Sequence, residues 1–241
     1  MPTTADAPKC FAEIGGRRIL DEILSALRGA GVDPITFVGG YRIAAVRAGY
    51  SALDFVHNEH WATTNILGSL MCAESQMAEG FVSSYADIVY RADAVKQLLA
   101  SERPITLVVD TAWRPRYAPR SEHPPTDGEK VTVQGGRVTR IHRDIAPDDA
   151  HGEFIGVAKF TAEGARSLCD AWHTQRERSA GGPFREAASI DDAYLIGLLQ
   201  QMIEDGVEIA HVDIAGGYHE IDTQQDYDLV RAAHDAGERW G

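Results

Sequence analysis

Two aspartates that are far apart in the sequence each follow a segment with the pattern of a buried strand. Asp87 comes shortly after Phe81-Val82, and Asp222 comes after the last predicted strand of the chain. In open α/β sheets, ligands gather outside the carboxyl ends of the strands. We therefore expect the two carboxylates to share one magnesium ion. An aspartate after a strand is also a common helix cap or turn residue, and the sequence leaves that role open for each of them.

A short irregular segment combines three arginines with two aromatic residues, namely Arg114, Arg116, Arg120, Trp113 and Tyr117. Guanidinium groups form paired hydrogen bonds with carboxylates and phosphonates, so this segment favours a small anionic ligand. A quaternary ammonium ligand would instead require an aromatic cage, to which the tryptophan and the tyrosine are suited. Arginines that only solvate the surface of an acidic protein are the third interpretation.

The composition indicates an acidic globular protein. The chain has 241 residues, of which 44% are hydrophobic, and a formal net charge of -13. That length and apolar content predict one domain over residues 1–241. The negative charge argues against binding to nucleic acid through phosphate contacts. No apolar run approaches the roughly 20 residues of a membrane span, which predicts no membrane partner.

The cysteines and histidines show no metal-binding or disulfide motif. Cys10, Cys72 and Cys169 are odd in number and far apart, which favours reduced thiols and a cytoplasmic location. The nine histidines include no zinc-binding spacing. The sequence therefore predicts no zinc site.

The first half of the chain alternates between helical and strand patterns. Apolar residues recur at helical spacing from Ile19 to Leu27, and further segments continue the alternation. Such alternation is typical of a mostly parallel sheet covered by helices. The predicted segments are strands at 35–38 and 53–56, helices at 42–48 and 65–74, and a central strand beginning at Phe81.

The second half begins with a strand at Ile105–Val109 and then predicts a hairpin. Two alternating runs, 129–133 and 137–141, flank Gly135-Gly136, and a glycine pair between such runs is a turn signal. The remaining predicted segments are strands at 154–160 and 207–214, helices at 162–173 and 190–204, and a last helix from about Gln225.

Several short motifs, in their order along the chain, resemble nucleotidyltransferases that act on phosphocholine, phosphonates and sugar 1-phosphates. The resemblance spans nearly the whole chain and is carried by the ordered set, because no single piece is decisive. The pieces are Pro8-Lys9-Cys10, Gly15-Gly16-Arg17-Arg18, Val38-Gly39-Gly40-Tyr41, Asn58-Glu59, Thr64-Asn65, Ser69-Leu70, Asp87, Glu129-Lys130-Val131, Gly152-Glu153 and Glu220-Ile221-Asp222.

The resemblance implies a Rossmann-like three-layer α/β fold with a mixed, mostly parallel central sheet and a small β-hairpin extension. It also implies a cytidylyltransferase that uses CTP, transfers CMP to a small phosphonate or phosphorylated acceptor, and releases pyrophosphate. A sugar-1-phosphate nucleotidyltransferase is one alternative, and a catalytically silent binding or regulatory relative is the other. A homodimer is compatible with each of these readings.

The same resemblance implies roles for individual residues. Lys9 and Lys130 would stabilise charge on the reacting phosphates, and Asp87 and Asp222 would bind Mg²⁺. Structural roles without a function remain open for these residues. Lys9 could be a solvated surface lysine, Lys130 could lie on an exposed strand edge, and Thr64-Asn65 could cap a helix. The nucleotide would contact Thr64, Asn65, Ser69 and Tyr85, and the acceptor would contact Arg114, Arg116, Arg120 and Glu153.

In the related enzymes a strand, a glycine-rich loop and an arginine precede the Pro-Lys pair, and these do not precede Pro8-Lys9 in this sequence. The backbone N–H groups of such a loop bind the triphosphate. We therefore expect weaker nucleotide binding by the sequence as given than by those enzymes.

Overall fold

A computed structural model describes residues 7–240. The segment ahead of Pro8, which the expectation about the missing loop concerns, lies outside the described residues apart from Ala7. The strands are β1 Glu13–Ile14, β2 Arg17–Arg18, β3 Thr36–Gly39, β4 Asp54–His57, β5 Gly80–Ser84, β6 Ile88–Tyr90, β7 Ile105–Asp110, β8 Lys130–Gln134, β9 Arg137–His142, β10 Gly152–Thr161, β11 Ala210–Ile214 and β12 Tyr218–Glu220. The helices are α1 Ile19–Gly29, α2 Ile43–Gly49, α3 Ile66–Met71, α4 Ala92–Ala100, α5 Arg114–Tyr117, α6 Ala162–Ser179, α7 Leu195–Glu204 and α8 Gln224–Asp235.

These elements match most of the predicted segments. The predicted helix at 190–204 is a 3-10 turn at Ile190–Asp192 followed by α7. Six of the described elements have no counterpart among the predictions, namely β1, β2, β6, β12, α4 and α5. Strand β6 has only three residues, so its apolar run was too short to distinguish from the flanking strand and helix.

Six strands form one sheet in the order β5-β10-β7-β11-β9-β8, and β8 also pairs with the start of β10. The long strand β10 runs antiparallel to both of its neighbours, with Ala158 opposite Ser83 of β5 and Leu107 of β7. Among the described strands of this sheet, only β11 and β7 pair in parallel, with Val212 opposite Val108. Strand β5, predicted as central, lies at one end of the described order.

This topology confirms an α/β fold with a mixed sheet and corrects the prediction that the sheet is mostly parallel. Most pairings among the described strands are antiparallel, and β3–β4 and β7–β11 are the parallel pairs. The predicted hairpin forms around Gly135-Gly136 and is part of the six-stranded sheet, because β9 pairs with β11. Alternation of helices and strands predicts parallel pairing only where a helix connects two strands. Strand β10 follows the β8–β9 hairpin without an intervening helix, so the alternation does not fix its direction.

The side chains of the sheet alternate between two apolar cores. On β7, Leu107 and Val109 face one core, and Val108 faces the other together with Ile155 of β10. All four are fully buried or nearly so, and each contributes roughly 1.5–3 kcal/mol through removal of apolar area from water. A sheet that is buried on both faces provides a rigid support for residues at its strand ends.

Helix α1 packs against two cores at once because its apolar face is wide. Its N-terminus is closed by Asp21, whose carboxylate accepts the backbone N–H of Arg18 at 3.0 Å. Ile19, Ile23 and Leu27 pack in the core that includes the residues of β6. Leu20 and Leu24 pack in a separate cluster with Cys10, which directly follows Lys9.

Among the helices of residues 7–240, none combines the length and apolar character that crossing a membrane requires.

Candidate active site

The two predicted metal-binding aspartates meet because β6 and β12 pair in antiparallel orientation. Asp87 directly precedes β6, Asp222 lies two residues after β12, and Glu220 is opposite Ile88 in the ladder. The backbone N–H of Ile221 donates to the carbonyl of Asp87 at 2.9 Å, which extends the pairing by one step. The start of one strand and the end of its antiparallel partner lie side by side, so the carboxylates are brought together.

Lys9 lies between these aspartates. Its Nζ is 2.5 Å from Asp222 Oδ1 and 3.1 Å from Asp87 Oδ2. Burial by itself would lower the pKa of Lys9, but the two carboxylates outweigh burial and raise the pKa above its usual value. Partial burial raises the pKa of Asp87, and the Lys9 ammonium opposes that shift. The structure thus brings together three of the predicted site residues.

Asp226 fixes the backbone around Asp222. Its Oδ2 accepts the N–H groups of Asp222 and Thr223 at 3.1 and 2.8 Å, and Thr223 caps α8 in return through Asp226 N at 3.1 Å. This reciprocal capping box begins α8 directly after the metal-binding candidate. Burial would raise the pKa of Asp226, but hydrogen bonds from His123, Arg120 and Thr223 lower it below its usual value. Asp226 therefore acts as a positioning residue.

His123 completes the cluster and was not predicted from the sequence. Its Nδ1 lies 3.6 Å from Asp222 Oδ2, 3.6 Å from Glu220 Oε2 and 2.6 Å from Arg120 Nη2. Burial, together with Asp222 and Asp87, raises the pKa of Glu220 well above its usual value. The loop that carries His123 is held by Gln225, whose Oε1 accepts two backbone N–H groups of residues 121 and 122.

Two of the three predicted nucleotide-binding residues near α3 are organised by a buried asparagine. Asn58 is 2% exposed, and its Nδ2 donates to Thr64 Oγ1 at 2.8 Å and to Ser69 Oγ at 2.9 Å. The third residue, Asn65, is the N-cap of α3 and accepts the N–H of Ile66 at 2.8 Å. The helix-cap interpretation of Thr64-Asn65 is therefore confirmed for Asn65. Within residues 7–240, Thr64, Asn65 and Ser69 form no hydrogen bond with the Lys9 cluster.

Tyr85 belongs to a second polar group beside Asp87. Its hydroxyl donates to Glu129 Oε2 at 3.1 Å, and Arg143 Nη2 donates to Glu129 Oε1 at 3.3 Å. The Arg143 guanidinium also lies 4.0 Å from the ring centre of Tyr194. Burial is the main cause that raises the pKa of Glu129 to about 7, and Arg143 and Tyr85 oppose it. This group contains an acid that titrates near neutrality.

Lys130 occupies a different position from the one that the resemblance implies. It is fully buried, and its Nζ donates to the carbonyls of Pro125 at 3.1 Å, Thr126 at 3.4 Å and Gly128 at 3.1 Å. Three acceptors match the three ammonium protons, so none is left for a phosphate in this conformation. Burial lowers the pKa of Lys130. In this structure Lys130 fastens the loop before β8. Its burial shows that the interpretation as an exposed strand edge was wrong, and its action on a phosphate stays a prediction.

The three arginines do not form an open anion-binding fork. Arg116 is mostly buried and pairs with Asp110 and Glu153, and its guanidinium lies 4.4 Å from the ring centre of Tyr218. Arg120 is buried and pairs with Asp226 at 2.7 Å.

Arg114 is half-exposed and contacts the carbonyl of Pro147 and the carboxylate of Asp148. Glu153 accepts hydrogen bonds from Arg116 and Tyr117. In this structure Arg116, Arg120 and Glu153 satisfy one another and their neighbours. The sequence could not show these carboxylate partners, and contact of the acceptor with Arg114, Arg116, Arg120 and Glu153 stays a prediction.

The donor set around Asp222 fits a hard divalent cation. Asp87 and Asp222 offer carboxylate oxygens, which Mg²⁺ prefers, and both side chains are about one-third exposed, at 32% and 35%. His123, Glu220 and Asp222 also place one possible ligand atom each within 4.8 Å of one another. The Lys9 ammonium occupies the space between the first two carboxylates, so a cation bound by both would displace it from at least one of them.

Sequence reasoning missed His123, Asp226, Glu129, Arg143 and Asn58 as members of these groups. Asp226 carried a usable signal, because Thr223 and Asp226 have the spacing of a capping box directly after a site aspartate. Asn58 and Glu129 lie within motifs of the resemblance. His123 and Arg143 lie in irregular segments, where neither periodicity nor spacing indicates which side chains turn toward the site.

Several known proteins are similar to this chain in sequence or fold. A CTP:phosphoglutamine cytidylyltransferase from Campylobacter jejuni is 28% identical over 239 residues, which covers 95% of this chain and 93% of that protein. Two solved structures share the fold. The inositol-1-phosphate CTP transferase from T. maritima has a TM-score of 0.69 at 22% identity and covers 99% of this chain and 91% of its own. The CTP:phosphocholine cytidylyltransferase from Streptococcus pneumoniae has a TM-score of 0.69 at 18% identity and covers 97% and 92%.

A family model matches the part of the chain that contains Lys9, Asp87 and Lys130. The match extends over residues 3–134, which is more than half of the chain, and the model describes a MobA-like NTP transferase domain. The resemblance to nucleotidyltransferases is thereby confirmed. With its Lys9–Asp87–Asp222 cluster beside the antiparallel pair β6–β12, this chain belongs to the family of MobA-like NTP transferase domains.

Proposed function

We propose that this chain is a cytidylyltransferase that uses CTP, transfers CMP to a small phosphorylated acceptor and releases pyrophosphate. The observation that carries the proposal is the contact of Lys9 with both Asp87 and Asp222. Cytidylyl transfer to phosphoglutamine by the Campylobacter jejuni relative, as its name states, supports CTP as the donor and a phosphorylated molecule as the acceptor.

In the proposed reaction, an oxygen of the acceptor phosphate attacks the α-phosphorus of CTP. A bond forms between that oxygen and phosphorus, the bond from the α-phosphorus to the bridging oxygen breaks, and pyrophosphate leaves with the electron pair. Little covalent chemistry falls to the protein, so positioning and charge compensation provide the rate enhancement. When bound by Asp87 and Asp222, Mg²⁺ supplies neutralisation of the phosphate charge.

Lys9 provides charge and not proton transfer in this proposal. Its raised pKa keeps the ammonium protonated at neutral pH. Phosphate oxygens can replace the carboxylate oxygens that now accept its protons, so Lys9 can turn toward a bound triphosphate without losing hydrogen bonds. Asp226 and the α8 cap hold Asp222 in place during that exchange.

Pyrophosphate release tests the proposal. The protein is incubated with CTP, UTP, ATP or GTP and Mg²⁺, with phosphoglutamine, inositol 1-phosphate, phosphocholine, glucose 1-phosphate or a small phosphonate as acceptor. We expect release that depends on CTP and on one of the phosphorylated acceptors. Release with UTP and glucose 1-phosphate would favour the sugar-1-phosphate alternative, and a phosphonate acceptor would support the narrower prediction from the sequence.

Two variants locate the activity. Asp87→Asn and Asp222→Asn each remove one carboxylate and keep the side-chain shape, and we expect a loss of about 100-fold or more in pyrophosphate release. The matched control is Asp228→Asn, an exposed aspartate on α8, which should retain full activity. If the wild type neither binds CTP nor releases pyrophosphate with any acceptor, the proposal is wrong and a silent relative is favoured. Light scattering on the same samples tests the homodimer.

A further inference from the structure

We propose that His151, His211 and Asp213 form a binding site for a transition-metal cation, with Zn²⁺ as the occupant. This site uses none of the residues of the Lys9 cluster and does not depend on the proposed function. The three side chains come from two separate segments, and each offers one ligand atom within 4.8 Å of the others.

The ligand atoms converge on one point. His151 Nε2 lies 2.9 Å from Asp213 Oδ2 and 3.0 Å from Asp213 Oδ1. His211 Nδ1 lies 2.8 Å from Asp213 Oδ1. The two imidazole rings meet edge to face, with their centres 5.1 Å apart. Two ring nitrogens and a carboxylate therefore face the same small volume.

The backbone holds these groups in position. His211 and Asp213 alternate on β11, so their side chains emerge on the same face of the sheet, and parallel pairing places them opposite Leu107 and Val109 of β7. His151 directly precedes β10, and its N–H donates to the carbonyl of Val131 at 2.8 Å. Strand β11 and the start of β10 flank β7 in the sheet, so the ligands are held by the backbone and require little ordering when an ion binds, which favours affinity.

The chemistry of the donor set selects the ion. Imidazole nitrogens suit Zn²⁺ and neighbouring first-row metals, whereas Mg²⁺ and Ca²⁺ prefer oxygen ligands alone. Three protein ligands leave one position of a tetrahedral site for water. The exposed fractions of His151 and Asp213, 29% and 40%, give solvent access for that water and for entry of the ion.

Small side-chain rotations accommodate the ion. Donor atoms around a tetrahedral Zn²⁺ are about 3.3 Å apart when the bonds are about 2.0 Å, only slightly farther than the hydrogen-bond distances in this cluster. Zinc needs the lone pairs of His151 Nε2 and His211 Nδ1. A proton that either atom donates to Asp213 then moves to the other ring nitrogen or is released to solvent.

Cobalt substitution tests the site, because Co²⁺ binds such ligands and absorbs visible light whereas Zn²⁺ does not. Tag-free wild-type protein is titrated with Co²⁺, and Zn²⁺ is then added as a competitor. We expect a saturable visible band that Zn²⁺ removes. His211→Gln and His151→Gln should each weaken binding by about tenfold or more, since even the loss of an outer partner of a metal ligand costs 10- to 100-fold.

Two control variants separate this site from other histidines. His173→Gln removes an exposed histidine that pairs with Glu74 on the surface, and His123→Gln removes the imidazole near Asp222. Both should retain the band. The proposal is overturned if the wild type shows no saturable band, or if His211→Gln and His151→Gln bind Co²⁺ as the wild type does. Circular dichroism checks that each variant is folded. If His211→Gln, on β11, is unfolded, the result for His151→Gln decides the proposal.

Discussion

The ammonium of Lys9 lies 2.5 Å from the carboxylate of Asp222, although the two residues are 213 positions apart in the sequence. The same ammonium lies 3.1 Å from Asp87. Two carboxylates at close range repel one another, and in this structure the lysine supplies a positive charge that compensates this repulsion. This arrangement makes the lysine and a divalent cation competitors for the same oxygens.

Replacement of Lys9 by methionine should therefore change the response to Mg²⁺. We expect Lys9→Met to lower the melting temperature without metal, because Asp87 and Asp222 lose their compensating charge. Mg²⁺ should then raise the melting temperature of the variant more than that of the wild type. Thermal unfolding across a Mg²⁺ titration measures both effects.

The control for this experiment is Lys96→Met, which removes an exposed lysine from α4 and should leave the Mg²⁺ response unchanged. Equal Mg²⁺ responses of Lys9→Met and the wild type would show that lysine and cation do not compete.

Glu129 should make stability depend on pH around neutrality. Burial raises its pKa to about 7 in the folded protein from an ordinary value of 4.5. Between pH 4.5 and about pH 7 the folded state binds more protons than the unfolded state, so the free energy of unfolding falls as the pH rises. The stabilising effect of the protonated carboxyl is fully present below about pH 4.5. It is lost as the pH rises through about 7, and the total change is about 3 kcal/mol.

Glu129→Gln should remove this dependence, because the amide keeps hydrogen-bond capacity for Tyr85 and has no proton to lose. Urea unfolding between about pH 5 and pH 8 measures the free energy of unfolding. We expect the variant to gain stability relative to the wild type as the pH rises. The exposed Glu177→Gln serves as the control, and a wild-type-like pH dependence in Glu129→Gln would contradict the prediction.

The aromatic ring of Tyr85 packs directly against the backbone of Gly156, where a side chain would leave no room for it. Its φ is +79°, and an added Cβ would lie 2.4 Å from the Tyr85 ring. Gly136 in the hairpin turn has a nearly identical φ of +76° with nothing within 4 Å of an added Cβ. Gly136→Ala should cost about 1 kcal/mol through backbone strain alone. Gly156→Ala should cost the same backbone strain and, in addition, about 1–3 kcal/mol through overpacking.

Urea unfolding of the two glycine variants at one pH compares these costs directly. Because φ is matched, the difference between the variants isolates the contact with Tyr85. Equal losses in free energy would mean that the ring moves aside without cost.

Lys130 offers a test between fastening a loop and acting on phosphate. Lys130→Met should destabilise the protein by about 1–3 kcal/mol for each buried carbonyl left without a donor, reduced where water reaches the loop. Pyrophosphate release per folded molecule should remain within a few-fold of the wild type. A variant of wild-type stability with a large loss of activity would instead support the catalytic role implied by the resemblance.

Much of the fold could be predicted because local patterns decide it. The apolar spacing in α1, the glycine pair of the hairpin and the buried run of β7 are all visible in the sequence. Strand direction was not, because β10 reaches the sheet after an irregular segment and pairs with strands distant in sequence. Pairing direction depends on these long-range contacts, which periodicity within one segment does not contain.

Within the candidate site, residue types and order along the chain pointed to Lys9, Asp87 and Asp222. The partners of the other charged residues remained hidden. Arg116 and Arg120 looked like ligands for an anion, but they pair with Asp110, Glu153 and Asp226 from other segments. A charged side chain near a strand end has several partners of comparable energy, and only the packing of neighbouring elements selects among them.

By itself, the sequence determined the α/β class, most element positions and the three residues at the centre of the candidate site. Tertiary structure alone decided the antiparallel course of β10, the burial of Lys130 and the meeting of His151 with His211 and Asp213. The physical reason is the range of the interactions involved. Helix and strand patterns arise from neighbours within a few residues, whereas charge pairing and metal-ligand geometry arise between residues that only the folded chain brings within a few ångströms.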